Sequence, residues 1–509
     1  MNKTLIYLLF SCLLIACSDG SVSYYLDATN GNDSNSGTTS NDAWQSLEKL
    51  NGVVLNPGDR VLLKRGDIFN GELEISAQGT PDRRIYVEAY GEGDMKPCIV
   101  GHDTSMYAAR IYNSDYVTFR DIEIINTGKQ PVPSRSGLKI ESTDYGVSHN
   151  IVVDNVTVRD VNGSLVKEKG GGCGIYVVNG GKEKVSVFDS LMIENCHILR
   201  CTRNAMIWSA YSSREDWHPS THTLIRGNLI EEVPGDGIVP IGCDSTVIEY
   251  NVMRNCPELL PDTEAAAGIW PWSCDNTLIQ FNEVSDHKAP WDAQGFDSDW
   301  NCTGTVIQYN YSHNNYGGLV LVCNSGESPA SFNIGNVGTQ VRYNISINDG
   351  IRPGPTRAGM FSPIIHVAGP VKDTHISRNI LHVNKKPAAD IDCTMMTLDS
   401  WGGYSDSTFV SENVFYTPEE SRFNLTESTN NFFDGNYYLG KFKALPDDGK
   451  VRLVSDVYLN KIVAADEAGF GGLAQLMDTV EVAGAKGVFI NKEAIETFFE
   501  QLSEATREE

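Results

Sequence analysis

The chain is poor in basic residues, and no Lys/Arg-rich run interrupts it. Acidic residues number 66 against 40 basic ones, which gives a formal net charge of -26 over 509 residues. Nucleic-acid-binding proteins usually present a basic patch, so this composition speaks against a nucleic-acid partner. An acidic surface suits a neutral sugar polymer, or an anionic polymer that is held through Ca²⁺.

Long apolar runs are missing as well. Beyond residue 17, no stretch stays apolar for the ~20 residues that a membrane-spanning helix needs. Residues 1–17 are a predicted lipoprotein signal peptide, with Lys3, an apolar run and the ending "LIAC". That ending resembles a bacterial lipobox, so Cys17 is expected to carry a lipid; an ordinary signal peptide cut elsewhere is the alternative. We expect anchoring to the outer membrane of a Gram-negative bacterium, on its periplasmic or its cell-surface side.

Helical periodicity is absent from most of the chain, and a strand motif recurs in its place. From about residue 110, a β-branched or aromatic run is followed by an asparagine, a second short apolar run and a polar loop. Such a repeat with variable insertions is typical of a solenoid. We expect the asparagines to stack at a bend between two strands, where their amides bond to one another. They are Asn155, Asn195, Asn228, Asn251, Asn282, Asn310, Asn344, Asn379 and Asn413.

Cysteines form a second column in the same repeat. Cys243, Cys274 and Cys302 each stand eight residues before a repeat asparagine, and Cys323 follows one coil later. One position on successive coils predicts thiols that stack in the core as small hydrophobic groups. Disulfides and a metal cluster are the alternatives, but a cluster would need ligands that converge from different directions.

These features resemble the right-handed parallel β-helix of pectate-lyase-like proteins. The opening "YYLDATNGNDSNSGTTSNDAWQSLEKLN" is similar to the N-terminal cap of extracellular polysaccharide-active members. The resemblance implies an all-β, single-stranded right-handed parallel β-helix solenoid with an N-terminal cap, over residues 18–440. Residues 441–509 lose the repeat and are expected to be a short C-terminal segment, partly helical, that caps the end or packs along the side. The fold hosts lyases, hydrolases, esterases and adhesins, so it does not select a reaction.

One strand carries two acids, in the stretch "GFDSDWNC". If Cys302 faces the core, alternation places Asp297 and Asp299 on the outer face. The same count places Trp300 on the inner face, and Val320 and Val322 of the next coil on the outer face. This coil has one residue more between glycine and cysteine than its neighbours, so a bulge can shift that parity. Acids at i and i+2 on a strand have Cα atoms about 7 Å apart. Such a pair suits glycoside hydrolysis, in which one carboxylic acid protonates the leaving oxygen and another carboxylate acts as base or nucleophile.

Loops beside this strand supply further polar and aromatic groups. If each loop leaves its coil at the same place, these groups line one flank of the solenoid. We expect His313 to join the acids in catalysis as a base or as a group that orients a carboxylate. Trp270 and Trp272 share the parity of Cys274 and are expected to face inward. The expected substrate-binding residues are Asp236, His287, Trp291, Asp292 and Arg352.

The sequence therefore predicts a monomeric, lipid-anchored glycoside hydrolase that acts on a polysaccharide and requires no cofactor. The first alternative is a polysaccharide lyase, in which the same acids hold Ca²⁺ and Lys288, His313 or Arg352 removes the proton alpha to a uronate carboxyl. The second alternative is a non-catalytic glycan-binding or adhesion solenoid.

Overall fold

The structure, a computed structural model, describes residues 20–329, 331–356, 359, 361–384, 393–451 and 472–505. The predicted signal peptide and its lipidation site, Cys17, lie outside the described residues. The described chain winds into a parallel β-helix, as predicted. Among the described residues, no helix is both long and apolar enough to cross a membrane.

Each coil contributes strands to as many as four stacks, which the chain visits in a fixed order. Within a stack, neighbouring strands come from successive coils and pair in parallel. The first stack comprises Ser23–Leu26, Arg60–Lys64, Ile85–Tyr90, Val117–Arg120, Val152–Asp154, Met192–Glu194, Leu224–Arg226, Val247–Glu249, Leu278–Gln280, Val306–Gln308, Asn336–Val337, Gln340–Arg342, Val371–Ser377, Asp406–Ser411 and Asn431–Asp434. The second stack comprises Ile68–Asn70, Cys98–Val100, Glu123–Asn126, Thr157–Val161, His197–Cys201, Leu229–Glu231, Val252–Arg254, Glu283–Ser285, Tyr311–His313, Ile345–Ile347, Ile380–His382, Val414–Asn424 and Tyr437–Phe442.

The third and fourth stacks complete the coil. The third stack comprises Leu73–Ile75, Ala109–Tyr112, Ser136–Thr143, Cys173–Gly180, Asn204–Ser209, Ile238–Val239, Phe296–Ser298, Val320–Cys323, Ile365–Ala368 and Cys393–Asp399. A β-bridge at Ile269 joins its two halves. The short fourth stack comprises Val147–His149, Val187–Asp189, Ser220–Thr221 and Cys243–Asp244.

A few elements lie outside the stacks. The strand pair Ala265–Ala266 and Trp291–Asp292 is parallel, and the pair Met477–Val482 and Ala485–Ile490 is an antiparallel hairpin. The α-helices are Leu47–Asn51 and Lys492–Ala505, and the short 3₁₀ helices are Ser40–Asp42, Lys167–Lys169, Arg214–Asp216 and Leu473–Leu476.

Stacked asparagines hold the bend between the first and second stacks. At each step, the side-chain oxygen of one asparagine accepts two hydrogen bonds from the asparagine one coil before. The Asn282 oxygen, for example, accepts from the Asn251 backbone N–H at 3.0 Å and from the Asn251 side-chain amide at 2.9 Å. All members are fully buried, so each asparagine supplies the hydrogen bonds that its buried neighbour cannot obtain from water. The ladder runs through Asn228, Asn251, Asn282, Asn310, Asn344, Asn379, Asn413 and Asn436.

Two predicted members do not belong to the ladder. Asn155 and Asn195 are exposed and adopt φ of 52° and 54°, one position before the ladder column. Cys196 occupies the column instead, and its backbone N–H donates to the side chain of Asn228 at 2.9 Å. The earlier coils therefore use asparagine at a left-handed position. There the amides of Asn155 and Asn195 donate to Asp121 and Asp154 of the preceding coil, and not to another asparagine.

The predicted thiol column is confirmed for three coils. Cys243, Cys274 and Cys302 are fully buried, and the Cys243 backbone N–H donates to the Cys274 sulfur at 3.4 Å. All ten described cysteines are free. Cys323 departs from the prediction, because it lies on the outer face in a small cluster with Leu321 and Ala368.

The C-terminal segment packs along the side of the solenoid. Aromatic residues that precede ladder asparagines stack at centroid distances of 5.1–5.3 Å, through Tyr250, Phe281, Tyr309 and Tyr343. Phe489 of the hairpin makes an edge contact at one end of this row, and Phe499 of the last helix does so at the other. Of the two predicted arrangements, packing along the side is the one observed.

Candidate active site

The two predicted acids lie on the face of their strand that points away from the core. Phe296 and Ser298 are fully buried, and the Ser298 hydroxyl lies 2.9 Å from that of Thr339 inside the coil. Asp297 and Asp299 occupy the alternate positions and line a cavity on the outer face. The predicted parity is therefore confirmed for these acids.

The extra residue of this coil is absorbed after the strand. Asn301 adopts a left-handed conformation with φ of 62°, and its side-chain amide donates to the Phe332 carbonyl at 3.1 Å. The strand itself stays in register with its neighbours. Trp300, which was expected to face inward, instead packs outside the core against Leu321 and Cys323. That prediction was wrong because the turn after Ser298 changes the direction of the chain.

The register also corrects the predicted neighbours of the acids. Phe296 pairs with Val320 and Ser298 with Val322, so both valines face the core. Asp297 therefore lies beside Leu321. Counting inward from the cysteines had placed the valines on the outer face, because successive coils differ in length between glycine and cysteine.

Trp270 was also expected to face inward, and it lines the cavity instead. The preceding residue, Ile269, is the one that bridges to Phe296 and faces the core. The Trp270 indole N–H donates to Asp236 at 3.1 Å, which fixes the ring at the cavity wall.

The cavity has a volume of about 180 Å³. It combines acidic side chains with four tryptophans, whose flat faces suit sugar rings. Its lining residues are Lys167, Asp236, Ala265, Ala266, Ala267, Trp270, Trp291, Asp292, Asp297, Asp299, Trp300, Leu321, Cys323 and Trp401.

Burial and mutual repulsion raise the pKa of three of the acids. Desolvation, reinforced by the charge of Asp299, raises the pKa of Asp292 to about 7. Desolvation, with the charges of Asp292 and Asp299, raises the pKa of Asp297 well above its usual range. Asp297 is 4 % exposed and, among the described residues, its Oδ1 has no hydrogen-bond partner, whereas Asp292 and Asp299 are partly exposed. Asp292 and Asp299 are thus the carboxyl groups that a ligand can reach.

Asp299 differs from the other two acids in its donors. The Cys323 thiol donates to its Oδ1 at 3.1 Å, and the Trp300 backbone N–H donates to the same oxygen at 2.6 Å. Desolvation raises the pKa of Asp299, but both donors and the charge of Lys167 oppose that rise. The environment therefore favours the ionised form more at Asp299 than at Asp292 or Asp297.

Asp236, a predicted substrate-binding residue, is committed to internal contacts. One oxygen accepts from Arg203 at 3.0 Å, and the other accepts from the Ala267 backbone N–H and the Trp270 indole at 3.1 Å. Both Asp236 and Arg203 are fully buried. Asp236 thus shapes the cavity wall by fixing Trp270 and the 265–267 segment.

His287 and Arg352, also predicted to bind substrate, lie behind the cavity. His287 is fully buried, and its Nε2–H donates to the Gly235 carbonyl at 2.9 Å. Burial lowers the pKa of His287 to about 4, so the ring is neutral near pH 7. Arg352 donates to the backbone carbonyls of Ala289 and Asp292. Both side chains therefore support the loop that carries Asp292.

The structure brings Trp291 to the cavity but not His313. Trp291 stacks on Phe361 at a centroid distance of 6.3 Å. His313 belongs to the second stack, where its Nε2 lies 3.1 Å from Glu283, and Glu283 also accepts from the backbone of Val488. His313 thus lies on the flank that the C-terminal segment covers, because its strand and that of Asp297 belong to different stacks.

Sequence reasoning missed several lining residues. Lys167 comes from a loop several coils earlier, and its ammonium group lies 5.1 Å from the centre of the Trp270 ring. Its backbone N–H donates to Glu264 at 2.8 Å, which pins the loop. Trp401 comes from a later coil and makes an edge contact with His366. No local pattern marks these residues, because the lengths of intervening loops decide which of them reach the cavity.

In the part of the chain that is described, no group of three or more His, Cys, Asp or Glu side chains is arranged to hold a metal ion.

Fold and site together define a right-handed parallel β-helix protein with an acidic, tryptophan-lined cavity on its third stack. Residues 188–344 match the family model described as "Right handed beta helix region". A curated relative, lacto-N-biosidase from Bifidobacterium longum subsp. longum, is 26% identical over 85% of this chain and 31% of its own length. This chain thus spans about a third of the relative's length.

Solved structures agree on the fold. The native GH136 lacto-N-biosidase from Eubacterium ramulus is 23% identical, with a TM-score of 0.59 over 85% of this chain and 68% of the other. Its selenomethionine derivative gives a TM-score of 0.58 over the same shares. The likeness confirms the predicted right-handed β-helix.

Proposed function

We propose that the protein is a glycoside hydrolase that cleaves a glycan within the cavity of the third stack. The observation that carries the proposal is the pair Asp292 and Asp299, two partly exposed carboxyl groups that line one cavity together with four tryptophans. Glycosidases of most families use such a pair on either side of the scissile bond. The name of the curated relative, lacto-N-biosidase, supports the same reaction class.

The environments of the two acids assign different roles to them. A raised pKa of about 7 leaves a large fraction of Asp292 protonated near neutral pH, as a general acid requires. Asp299 has a thiol and a backbone N–H as donors and faces Lys167, so it acts as the ionised base or nucleophile. Asp297, which the sequence paired with Asp299, is the most buried of the three and remains protonated beside them. In that state it donates a hydrogen bond, either to its neighbours or to substrate.

The charge balance of the cavity favours a neutral glycan. With Asp297 protonated and Asp292 largely so below pH 7, the negative charge of Asp299 is balanced by Lys167 among the described residues that line the cavity, and Asp236 is paired with the buried Arg203. The cavity thus has no excess of positive charge to hold the carboxylate of a uronate, whereas uncharged sugar rings can stack on the four tryptophans. These features disfavour the lyase that the sequence left open.

The proposal is tested by assaying Asp292→Asn and Asp299→Asn on a panel of neutral oligosaccharides and chromogenic glycosides, beginning with a lacto-N-bioside. Each substitution is expected to lower kcat by a factor of at least about 100, since each removes a group that acts on the reacting bond. Asp216→Asn, which changes an exposed acid that does not line the cavity, is the matched control. Full activity in both site variants would contradict the assignment.

Product analysis separates the alternatives. Hydrolysis releases reducing ends without ultraviolet absorbance, whereas elimination from a uronate creates a double bond that absorbs. The carboxylate pair carries out hydrolysis by itself, so treatment with a chelator is expected to leave the rate unchanged. Absorbing products, or loss of activity with EDTA that Ca²⁺ restores, would support the lyase. Glycan binding without turnover on the whole panel would support the adhesin.

The cellular location is a separate part of the proposal. The lipobox-like ending at Cys17 supports a protein that is anchored by lipid to the outer membrane, where glycans from outside the cell become accessible. Mass spectrometry of the mature N-terminus is expected to find a diacylglyceryl-modified cysteine at position 17. Cys17→Ser is expected to release the protein from membranes, and a wild-type N-terminus elsewhere would contradict the anchor.

A further inference from the structure

Arg352 braces the segment that carries Asp292. Its guanidinium is buried, with 5 % of the residue exposed. One terminal nitrogen donates to the Ala289 carbonyl at 2.6 Å and the other to the Asp292 carbonyl at 2.8 Å. The planar fork of arginine can satisfy two carbonyls at once, which a lysine ammonium on a flexible stem does less well.

The braced segment is a strained turn. Asp292 and Ala293 are consecutive residues in left-handed conformation, with φ of 59° and 64°. Aspartate tolerates this region, but alanine enters it only when the surrounding structure compels it. Without an external tie, the turn would relax and move the carboxyl group of Asp292.

Close packing supports the same turn from the opposite side. A Cβ atom on Gly317 would lie 2.2 Å from the Asp292 carbonyl oxygen and 2.4 Å from the Ala293 carbonyl carbon. The ring of Tyr316 lies beneath the Arg352 guanidinium, at 5.8 Å from its centre. The turn is thus held between the guanidinium and the 316–317 backbone.

Arg352 also sets the charge around Asp292. The other charged groups that face this carboxyl are acidic except for Lys167, namely Asp236, Asp297 and Asp299. The positive charge of Arg352 opposes the rise in the pKa of Asp292. Its removal would therefore raise that pKa further.

We propose that Arg352 is a positioning residue of the reaction, which holds the turn at Asp292 and Ala293 so that the Asp292 carboxyl group faces the scissile bond, and that it does not bind substrate. The inference depends on the proposed function, since it assumes that Asp292 acts on the substrate.

The test compares Arg352→Lys and Arg352→Met in the full-length protein with the glycan assay. Arg352→Lys keeps the charge and loses the fork, so kcat is expected to fall by about tenfold or more while KM stays within about threefold. Arg352→Met is expected to show the same loss, and the alkaline limb of its pH–rate profile should move to higher pH because the acid holds its proton longer. A raised KM with unchanged kcat would show substrate binding instead.

A matched control is Arg84→Lys, which removes a similar bidentate contact, to Asn150, in a coil near the N-terminus. Its kcat and pH profile are expected to match those of wild type. If Arg352→Lys does not fold, Ala293→Gly should rescue it, because glycine adopts φ near 64° without strain; no rescue would overturn the proposal.

Asp292→Asn distinguishes the positioning role of Arg352 from the proposed function on which it depends. Inactive Asp292→Asn with fully active Arg352→Lys would refute the positioning role alone. Active Asp292→Asn would refute the catalytic role of Asp292 in the proposed function, on which the role of Arg352 depends.

Discussion

The asparagine ladder and the carboxylate cluster bury polar side chains in the same solenoid by opposite means. In the ladder, each amide is satisfied by an identical amide one coil away, as Asn282 is by Asn310 at 3.0 Å. In the cluster, neighbouring coils present Leu321 or Trp270 beside Asp297, and one oxygen of Asp297 has no hydrogen-bond partner in the part of the chain that the structure describes. The ladder is stabilised because the same residue recurs on each coil, and the carboxylate cluster arises where that recurrence is interrupted.

This difference locates chemistry where the repeat fails. A ladder of identical amides carries no net charge, and its amides hydrogen-bond to one another, so it offers little to a ligand. The coil of Asp297 carries an extra residue and three acids, from one strand, its preceding loop and the turn that follows. The next coil supplies Cys323, a thiol that lies outside the core column. Perturbed pKa values concentrate there because burial and like charges are not compensated by the neighbouring coils.

The comparison is tested most severely by breaking the ladder with Asn282→Ala. The change removes the acceptor of the Asn251 backbone N–H, deep in the core, and one of the three oxygens to which the Asn251 side-chain amide donates. It also removes the Asn282 amide that donates to the Ile248 carbonyl. Each unsatisfied buried group costs roughly 1–3 kcal/mol, so a loss of about 3 kcal/mol or more is expected. Urea denaturation measures it, with the exposed Asn30→Ala as control. A loss below about 1 kcal/mol, the value of a typical single hydrogen bond, would show that the ladder is dispensable.

Much of the fold follows from the sequence because the repeat encodes it locally. Strand alternation and the asparagine column fix the register of each coil, and both recur often enough to be recognised. Asn155 and Asn195 show where this reasoning ends, because the same residue type serves a left-handed turn one position earlier. Residue identity does not distinguish a stacked amide from a tolerated φ.

The site was less predictable, for two physical reasons. The parity of Asp297 and Asp299 followed from strand geometry, but the position of Trp300 depended on where the extra residue was accommodated. The contribution of Lys167 depended on the path of a loop several coils away. Long-range loop paths leave no periodic signal, so His313 looked as plausible as Asp292 until the stacks were known.

Removing a cluster acid should raise stability, in contrast to removing a ladder amide. The pKa of Asp292 is raised from 3.8 to about 7, so the folded state binds more protons than the unfolded state between these values. Stability contributed by this group is therefore lost as pH rises through that window. Asp292→Asn is expected to be more stable than wild type at pH 8 and to lose this advantage below pH 4.

Thermal unfolding of both proteins from about pH 3 to pH 8 measures this difference. The matched control is Asp160→Asn, because a hydrogen bond from Arg200 lowers the pKa of Asp160. The expected change in stability has the opposite sign. Asp160→Asn should be less stable than wild type at pH 7, and this difference in stability should disappear as the pH falls below the usual pKa of an aspartate. Equal behaviour of the two variants would contradict the electrostatic account of the site.

The smallest expected effect is on the pH profile, and it distinguishes a thiol that donates to a cluster acid from a thiol that packs in the core. Cys323 donates to Asp299 at 3.1 Å and favours its ionised form, whereas Cys274 packs within the core column. Cys323→Ala should raise the pKa of Asp299 and shift the acid limb of kcat/KM to higher pH, with less than about tenfold loss of rate at the optimum. Cys274→Ala should lower thermal stability through its cavity and leave the pH profile unchanged. A profile that shifts with Cys274→Ala, or stays fixed with Cys323→Ala, would mean that the thiol of Cys323 fills space beside Asp299 without tuning it.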